Sequence, residues 1–485
     1  MKKLLAIILT ACLVLGLVAC GSSSAAGGET EASSGGKFMA GFGMQDITPK
    51  DSVPLASYGD DRMSTGLYSK LEARAVVVQD AEGNMLVFAT GDVSWCPNQL
   101  GKVIRADIAK ELGIPENNII LSGTHTHASV STSRTDIPSV GKFNDQYISG
   151  MKKAILKAVE DLKPAEVYQG SVMTENMNHV RRYIMDDGSL DGDNAYGTGT
   201  KRVAHETEAD RELQVMKFAR EGGKDIVITN FQAHPHLSGK TTNVSSETPG
   251  AIRYAVEEAF DAHALHWQGA AGNVNTHGSL EGEVPYEKTP AGVTAYGKAM
   301  ADYIKTIYEN MEKVSTGNVQ VREVVYTAKV NHSYDEYVTH AQAVVDYMQV
   351  KGYTAAEAAK YAHQLSAEKG LERRINSYFH ASRILGNSKL GATQDMTLYA
   401  WSFGDIAGVV LPYELFDTSG MQVKTQSPFA RTFIVGYSFP SYVGYIPTEE
   451  GFANGGYEAD NSTFEPGTAE GMVENYLNML NDMHK

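Results

Sequence analysis

The chain has 485 residues and a formal net charge of −16, and 42% of its residues are hydrophobic. This length and composition are ample for one large domain or two. An acidic chain without a basic stripe argues against nucleic acid as a partner.

The first twenty residues carry the features of a secretory signal. Two lysines precede an apolar stretch, and the ending LVAC resembles a bacterial lipobox. We therefore predict a signal peptide over residues 1–19, cleavage before Cys20 and a lipid on its sulfur, which would anchor the protein to the bacterial membrane outside the cytoplasm. An uncleaved membrane anchor and an ordinary signal peptide are the minor alternatives.

Residues 20–37 are rich in Gly and Ser and are predicted to form a flexible tether. Of the three cysteines, Cys12 leaves with the signal and Cys20 would be acylated, so only Cys96 remains. No intramolecular disulfide is then expected, and stability must come from core burial.

Residues 38–485 are predicted to form one catalytic domain. Strand-like runs over 38–95 are followed by a helical pattern over 99–113 and an apolar run entering 117–127, which is a β–α–β order. Strands and helices continue to alternate, so we predict an α/β fold of mixed sheets flanked by helices.

The segment SGTHTHASV, residues 122–130, places two histidines one residue apart after an apolar run. In a strand, side chains at i and i+2 share a face, so His125 and His127 would point together off the strand end. Imidazole is the commonest metal ligand and also moves protons near neutral pH. Taken alone, this motif fits a metal site and a pair of hydrogen-bonded structural histidines about equally well.

A second histidine pair favours the metal interpretation. His234 and His236 in NFQAHPH follow another predicted strand. Zinc sites usually draw imidazoles from well-separated parts of a chain, with an oxygen ligand completing the shell. We expect His236 to be a supporting or surface residue and not a ligand.

Two regions differ from this alternation. Residues 183–203 are rich in Gly, Asp and Asn, and we predict a long loop there. Residues 334–385 have helical periodicity with a capping box at Thr354 and Glu357, so we predict a helical insertion. It is interpreted as a packed peripheral hairpin, with a lid over the site as the alternative.

The last hundred residues add oxygen ligands. Glu414 ends a predicted buried strand, where a carboxylate is usually paired with a cation or bound to metal. Tyr445 and Tyr457 lie in SYVGYIPTEEGFANGGYEA, and a tyrosine can ligate a metal or donate a hydrogen bond to an oxyanion. Half-buried aromatic packing is the plainer interpretation of each.

Taken together, these motifs resemble a known family. GFGMQDITP, GDVSW, SGTHTHASV, NFQAHPH, GAAGNVN and YIPTEEGFANGGYEA occur in the order found in the catalytic domain of neutral/alkaline non-lysosomal ceramidases and their bacterial relatives. The resemblance runs from about residue 40 to about residue 465. It implies a zinc-dependent hydrolase of amide bonds that acts on a lipid-like substrate, as in the conversion of N-acyl-sphingosine and water to fatty acid and sphingosine.

The resemblance also implies roles for particular residues. Zn²⁺ would be held by His125, His234, Glu414 and Tyr445. His127 would accept a proton from the attacking water, Tyr457 would stabilise the oxyanion, and Arg181 or its neighbour Arg182 would contact substrate.

One segment departs from the family pattern. Ceramidases carry a GDVSPN-like segment, whereas this chain has GNVNTH, with Asn273 at the aspartate and Asn275 at the serine. An amide is not a nucleophile, but Asn275 can still position substrate or stabilise charge by hydrogen bonding. The sequence also stops near the close of the catalytic domain, so the β-sandwich that follows it in ceramidases is not expected here.

Two other functions stay open. The chain could be a non-catalytic solute-binding or recognition lipoprotein, since a lipobox and a Ser/Gly tether are common on such proteins. It could also be an esterase on a non-lipid substrate, because zinc-assisted hydrolysis does not by itself distinguish amides from esters.

Overall fold

A computed structural model describes residues 36–485 of the chain, apart from 59–61, 193–197, 284–285, 352–353 and 440–443. The predicted signal peptide, Cys20 and the tether up to residue 35 lie outside the described residues. Gly36–Lys485 form one compact unit. Among the described residues, no helix combines the length and apolar character needed to cross a membrane.

The strands of this unit are numbered in chain order. They are β1 Met39–Asp46, β2 Gly66–Leu67, β3 Glu72–Gln79, β4 Met85–Gly91, β5 Ile119–Gly123, β6 Lys163–Met173, β7 His179–Val180, β8 Tyr183–Met185, β9 Leu190–Asp191, β10 Arg202–His205, β11 Glu212–Arg220, β12 Ile226–Phe231, β13 Asn243–Val244, β14 His263–Gln268, β15 Val274–Asn275, β16 Glu312–Val314, β17 Val319–Lys329, β18 Thr393–Phe403, β19 Ile406–Val410, β20 Glu414–Leu415, β21 Arg431–Val435 and β22 Tyr445–Ile446.

The α-helices alternate with these strands. They are α1 Asn98–Leu112, α2 Pro138–Glu160, α3 Glu247–Phe260, α4 Pro290–Ile307, α5 Val338–Lys351, α6 Ala355–Lys369, α7 Tyr378–Asn387, α8 Asp417–Gln426, α9 Glu449–Ala453, α10 Tyr457–Asp460 and α11 Thr468–His484.

Two stacked sheets form the centre of the fold. The larger has nine strands in the order β14-β12-β11-β6-β1-β3-β4-β5, with β16 also paired to β6, and the smaller has the order β17-β18-β19-β21. Alternate side chains of β3 face opposite ways: Ala75 and Val77 pack toward α1 and α2, whereas Val76 packs against Trp401 and Phe433 of the smaller sheet. Helices α8 and α11 cover the outer face of the smaller sheet. The predicted α/β fold of mixed sheets flanked by helices is confirmed.

Three parallel strand pairs organise one edge of these sheets. β4 pairs with β5 across α1, β12 pairs with β14 across α3, and β19 pairs with β21 across α8. Parallel neighbours end at the same edge, which is where α/β proteins usually bind ligands. The segments that leave β5, β12 and β19 lead directly to His125, His234 and Glu414.

The structure corrects the long loop predicted over residues 183–203. Strands β8, β9 and β10 form a small three-stranded sheet there, and residues 193–197 lie outside the described part. Asp187 accepts hydrogen bonds from Ser189 and Thr198, and Gly188 takes a φ of 80° in the turn. Strands of two to four residues are too short to show an alternating pattern, so the turn residues dominated the sequence signal.

Residues 334–385 are helical, as predicted. Helices α5, α6 and α7 share a small core of their own, and the capping box at Thr354 and Glu357 is present. Phe379 on α7 meets the ring of Tyr457 edge-on, with the ring centroids 6.3 Å apart. The insertion therefore packs beside one of the predicted site residues.

Candidate metal centre

The predicted ligands meet at the shared edge of the parallel strands. His125 follows β5, His234 follows β12, and Glu414 lies in β20 just after β19. Tyr445 in β22 pairs with Glu414 in register, so these two residues lie side by side. Residues that are far apart in sequence converge because each follows the carboxyl end of a strand from one of the three parallel pairs.

Three potential ligand atoms face one another. Oε2 of Glu414 lies 3.1 Å from Nε2 of His234 and 3.5 Å from Nε2 of His125. Nε2 of His127 lies 3.3 Å from Nε2 of His125, and ligand atoms of all three histidines fall within 4.8 Å of one another. His125, His234 and Glu414 are each at most 3% exposed.

The outward nitrogens show which tautomer these histidines have. Nδ1 of His125 is 2.9 Å from the carbonyl of Ser94, and Nδ1 of His234 is 2.7 Å from the carbonyl of Ala271. A carbonyl only accepts, so each Nδ1 carries the proton and each Nε2 directs a lone pair inward.

Two of the converging atoms have no hydrogen-bond partner among the described residues. They are Nε2 of His234 and Oε2 of Glu414, both fully buried. Buried polar atoms are normally satisfied, and lone pairs that face one another repel. Backbone carbonyls that orient the outer nitrogens are the usual second layer around a metal-ligating histidine. The residues present therefore fit a divalent cation with nitrogen and oxygen ligands.

The electrostatics of the centre keep the imidazoles of His127 and His234 neutral. Burial, reinforced by the nearby Arg181, lowers the pKa of His234 to about 3. Burial and the neighbouring His125 ring hold the pKa of His127 well below its ordinary value. A carboxylate beside neutral imidazoles is the ionisation state that a cation requires.

The ring of Tyr445 stacks beside that of His234, with the ring centroids 6.4 Å apart. Burial and the Glu414 carboxylate raise the pKa of Tyr445 well above its ordinary value. Without a cation beside it, the phenol therefore keeps its proton. Tyr457 is half-buried and meets Tyr445 at a centroid distance of 5.5 Å.

The two neighbouring arginines point to different surroundings. The guanidinium of Arg181 lies over the rings of Tyr445 and Tyr457, at 5.3 and 5.7 Å, and also donates to Glu458. Arg182 instead lies over Phe416, donates to Glu206 and Glu458, and bonds two backbone carbonyls of the 451–455 segment. Arg181 is thus the member of the pair that contacts the candidate centre.

Asn275 lies one contact further out. Its Oδ1 is 3.0 Å from Nε2 of His236, whose ring is 5.3 Å from that of His127. Asn273 faces away and exchanges two hydrogen bonds with Asp417, one through the Asp417 backbone amide and one through its carboxyl. The departure from the family pattern therefore places one amide beside the histidines and one in the scaffold.

The geometry of the first histidine motif differs from the sequence expectation. The strand ends at Gly123, and His125 adopts a left-handed conformation with a φ of 63°. Its backbone amide donates to the carbonyl of Val93. The two imidazoles do meet, but a strained turn brings them together in place of a continuing strand.

Sequence reasoning missed Tyr437 and Trp95. Tyr437 follows β21, has a φ of 60°, and stacks its ring on His125 at a centroid distance of 3.9 Å. Trp95 meets the same imidazole edge-on at 4.8 Å. Trp95 follows β4 and Tyr437 follows β21, and a position after a strand is the only signal that would have selected them.

A buried, nitrogen-rich centre at the carboxyl ends of parallel strands defines the chain as an α/β protein with a candidate transition-metal site. Residues 38–275 match the family model of the neutral/alkaline non-lysosomal ceramidases, N-terminal region. These residues therefore belong to that family, as the motifs predicted. The matched range contains both histidine pairs and Asn275, whereas Glu414, Tyr445 and Tyr457 lie beyond it.

Individual proteins show the same relationship. The chain is 23% identical over 239 residues to neutral ceramidase 2 of Arabidopsis thaliana, which is 46% of this chain and 30% of that protein. It is 24% identical over 258 residues to neutral ceramidase of Oryza sativa subsp. japonica, which is 50% of this chain and 32% of that protein. The match thus spans about a third of the length of these curated relatives.

Solved structures extend the likeness to most of the chain. A ceramidase complexed with C2 aligns with a TM-score of 0.70 and 17% identity, covering 92% of this chain and 75% of that one. Neutral ceramidase from Pseudomonas aeruginosa aligns with a TM-score of 0.68 and 18% identity, covering 92% of this chain and 74% of that one. The fold is therefore shared well beyond residue 275.

Proposed function

We propose that this chain is a zinc-dependent hydrolase that cleaves the amide bond of an N-acyl lipid such as N-acyl-sphingosine. The observation that carries the proposal is the convergence of the His125, His234 and Glu414 ligand atoms, with both outer imidazole nitrogens held by backbone carbonyls. Membership of the ceramidase family and the names of the relatives supply the reaction class and the substrate class.

We assign the zinc ligands to His125, His234, Glu414 and Tyr445. A bound zinc ion would polarise the scissile carbonyl and lower the pKa of a water molecule toward neutrality. In the reaction, the amide carbon gains a bond to the water oxygen and loses its bond to nitrogen, so a fatty acid and a free amine are formed.

His127 is placed to move the proton. Its Nε2 faces the ligand cluster, and its lowered pKa keeps it neutral, so it can accept a proton from water and return it to the leaving nitrogen. Nδ1 of His127 is buried and has no hydrogen-bond partner among the described residues. That isolation leaves Nε2 as the nitrogen that carries the proton during the reaction.

Tyr457 and Arg181 would serve the other side of the carbonyl. Arg181 lies over the rings of both tyrosines and carries a fixed positive charge, and Tyr457 can donate a hydrogen bond to a developing oxyanion. Asn275 would hydrogen-bond to His236 beside His127, so its role would be to position these side chains and not to attack the substrate.

The test is release of fatty acid from N-acyl-sphingosine by the purified full-length chain. We expect activity that a chelator removes and zinc restores. His127→Gln should keep its zinc and lose about 10²- to 10⁴-fold in kcat, the usual contribution of a general base, whereas Glu414→Gln should lose both. His332→Gln, a surface histidine paired with Asp335, is the matched control and should behave as wild type.

The same assay separates the remaining alternatives. Turnover of short acyl esters without turnover of amides would make the chain an esterase. A zinc-loaded chain that is inactive on amides and esters alike would overturn the hydrolase proposal and favour a binding lipoprotein.

We also propose that the protein is attached to the bacterial membrane through lipid on Cys20. The LVAC sequence at residues 17–20 and the Gly/Ser-rich stretch after it support this proposal. Cys20→Ser should move the protein from the membrane fraction to the soluble extracytoplasmic fraction. Wild-type protein without an added lipid mass at its N-terminus would refute the proposal.

A further inference from the structure

A second cluster of potential ligands lies one strand pair away from the candidate metal centre. It consists of His179 on β7, His205 at the end of β10 and Glu283 in the segment before α4, with ligand atoms within 4.8 Å of one another. β7 pairs with β15, where His179 is in register with Asn275. No role was assigned to any of these three residues from the sequence.

One carboxylate oxygen faces both imidazoles. Oε1 of Glu283 lies 3.0 Å from Nδ1 of His179 and within hydrogen-bond distance of Nε2 of His205. The other oxygen, Oε2, accepts a hydrogen bond of 2.7 Å from the backbone amide of Leu280, which fixes the orientation of the carboxylate. Oε1 is therefore directed at the two rings.

A neutral His205 has too few N–H groups for its two neighbouring oxygens. Its Nδ1 faces the carbonyl of Val180 and its Nε2 faces Glu283, and both of these oxygens accept. A neutral imidazole has one N–H group. In His205 this group is at Nδ1 and donates to the Val180 carbonyl, so Nε2 directs a lone pair at a carboxylate. Either a second proton or a cation must lie between them.

An unpartnered buried nitrogen of His179 and the geometry of His205 favour a cation over a second proton. His179 is 8% exposed, and its Nε2 is buried without a hydrogen-bond partner among the described residues. His205 repeats the arrangement of His125 and His234, in which a backbone carbonyl holds the outer nitrogen and the inner one faces a glutamate.

We propose that His179, His205 and Glu283 form a second binding site for a divalent transition metal, of the two-histidine, one-carboxylate type that suits zinc. The site would join three segments that are distant in sequence, so its metal would stabilise the region around β7 to β10. This inference does not depend on the proposed hydrolase function.

The test is the number of zinc ions bound per chain after the purified full-length protein is stripped, equilibrated with zinc and desalted. Wild type should bind two. The double variant His125→Ala with Glu414→Ala should retain one, and either His179→Ala or Glu283→Gln should also retain one. Glu281→Gln is the matched control, since that side chain is 93% exposed, and should bind two.

The outcomes separate the two sites. If the His125/Glu414 double variant binds no zinc, or if Glu283→Gln binds as much zinc as wild type, the second site does not exist. If only the second-site variants lose zinc, this inference stands and the proposed catalytic centre fails. Should His179→Ala not fold, zinc retained by the His125/Glu414 variant, together with a zinc-dependent rise in its Tm, decides the matter.

Discussion

Arg181 and Arg182 are adjacent in sequence but have separate tasks in the structure. Arg181 contacts the tyrosines beside the candidate centre, whereas Arg182 is 1% exposed and is held by Glu206, Glu458 and backbone carbonyls. Arginine forms a planar fork that lysine cannot reproduce, so a lysine at either site keeps the charge and loses the geometry.

We therefore expect two matched substitutions to differ in whether they reduce kcat/KM or Tm more. Arg181→Lys should lower kcat/KM for an N-acyl lipid by about 10- to 100-fold, since one transition-state contact is worth about 1.4 to 3 kcal/mol. It should lower Tm less than Arg182→Lys does, because among the described residues Arg181 pairs with one carboxylate and Arg182 with two. Arg182→Lys should lower Tm more and kcat/KM less, because it weakens buried ion pairs. A folded Arg182→Lys variant with the larger loss of kcat/KM would contradict this assignment.

Glu247 is a strained, buried carboxyl at the start of α3. It has a φ of 53° and is 1% exposed, and its Oε2 has no hydrogen-bond partner among the described residues. Burial outweighs its hydrogen bonds from Ser238 and raises its pKa from 4.5 to about 7. The folded state therefore holds this proton at pH values where the unfolded chain has released it.

That pKa sets the sign of a pH effect on stability. Between pH 4.5 and 7 the folded state binds more protons at this site than the unfolded state, so the free energy of unfolding falls as the pH rises. Glu247→Gln removes this dependence. The unfolding free energy of wild type relative to the variant should decline by about 3 kcal/mol across that window, from about 1.4 kcal/mol per pKa unit. Denaturant unfolding at several pH values measures it, and a constant difference would refute the shift.

At the scale of elements, the turn after β14 supports the candidate centre. The amide of Gly272 donates to the carbonyl of Leu415, and its carbonyl accepts from Arg181. A Cβ at this position would lie 2.5 Å from the carbonyl oxygen of Glu414, which no real side chain tolerates. Only glycine allows the turn to approach the strand that carries Glu414.

Gly272→Ala should therefore displace Glu414 without altering any ligand. We expect zinc affinity to fall by about tenfold or more, within the range seen when groups that orient ligands are changed. Gly141→Ala in α2 is the control, because nothing lies within 4 Å of its added Cβ. That control should keep zinc affinity and gain slightly in stability. Unchanged zinc affinity in Gly272→Ala would show that the turn does not support the site.

The elements also show what the sequence could predict. The strands of the parallel pairs have long apolar runs, so the apolar pattern alone predicted these strands and the residues at their ends. The left-handed turns at His125 and Tyr437 could not be predicted in this way, because no local residue preference indicates them and tertiary hydrogen bonds impose them. Strands β8 to β10 were missed since two to four residues cannot display a period.

Contacts between distant elements were likewise beyond a single sequence. Whether Arg181 or Arg182 faces the centre, and that Glu283 meets His179 and His205, depends on how separate segments pack. The resemblance to ceramidases supplied the grouping of His125, His234, Glu414 and Tyr445, which spacing alone left open.

For the whole molecule, the layered sheets act as a rigid platform. The nine-stranded and four-stranded sheets each contribute parallel strands to one edge. Asp92 forms a buried ion pair with Arg253 and also accepts a hydrogen bond from Thr124. These contacts support the turn at His125. Ligands carried by rigid strands keep their geometry better than ligands on free loops. The arrangement therefore favours a preformed centre over one assembled by substrate.

The central claim is that His125, His234 and Glu414 hold the catalytic zinc. The most direct test is a crystal structure of the zinc-loaded full-length chain with anomalous diffraction at the zinc edge. We predict a zinc peak within about 2.3 Å of Nε2 of both histidines and of a Glu414 oxygen. A peak only at His179, His205 and Glu283, or no zinc bound by well-folded protein, would contradict the account.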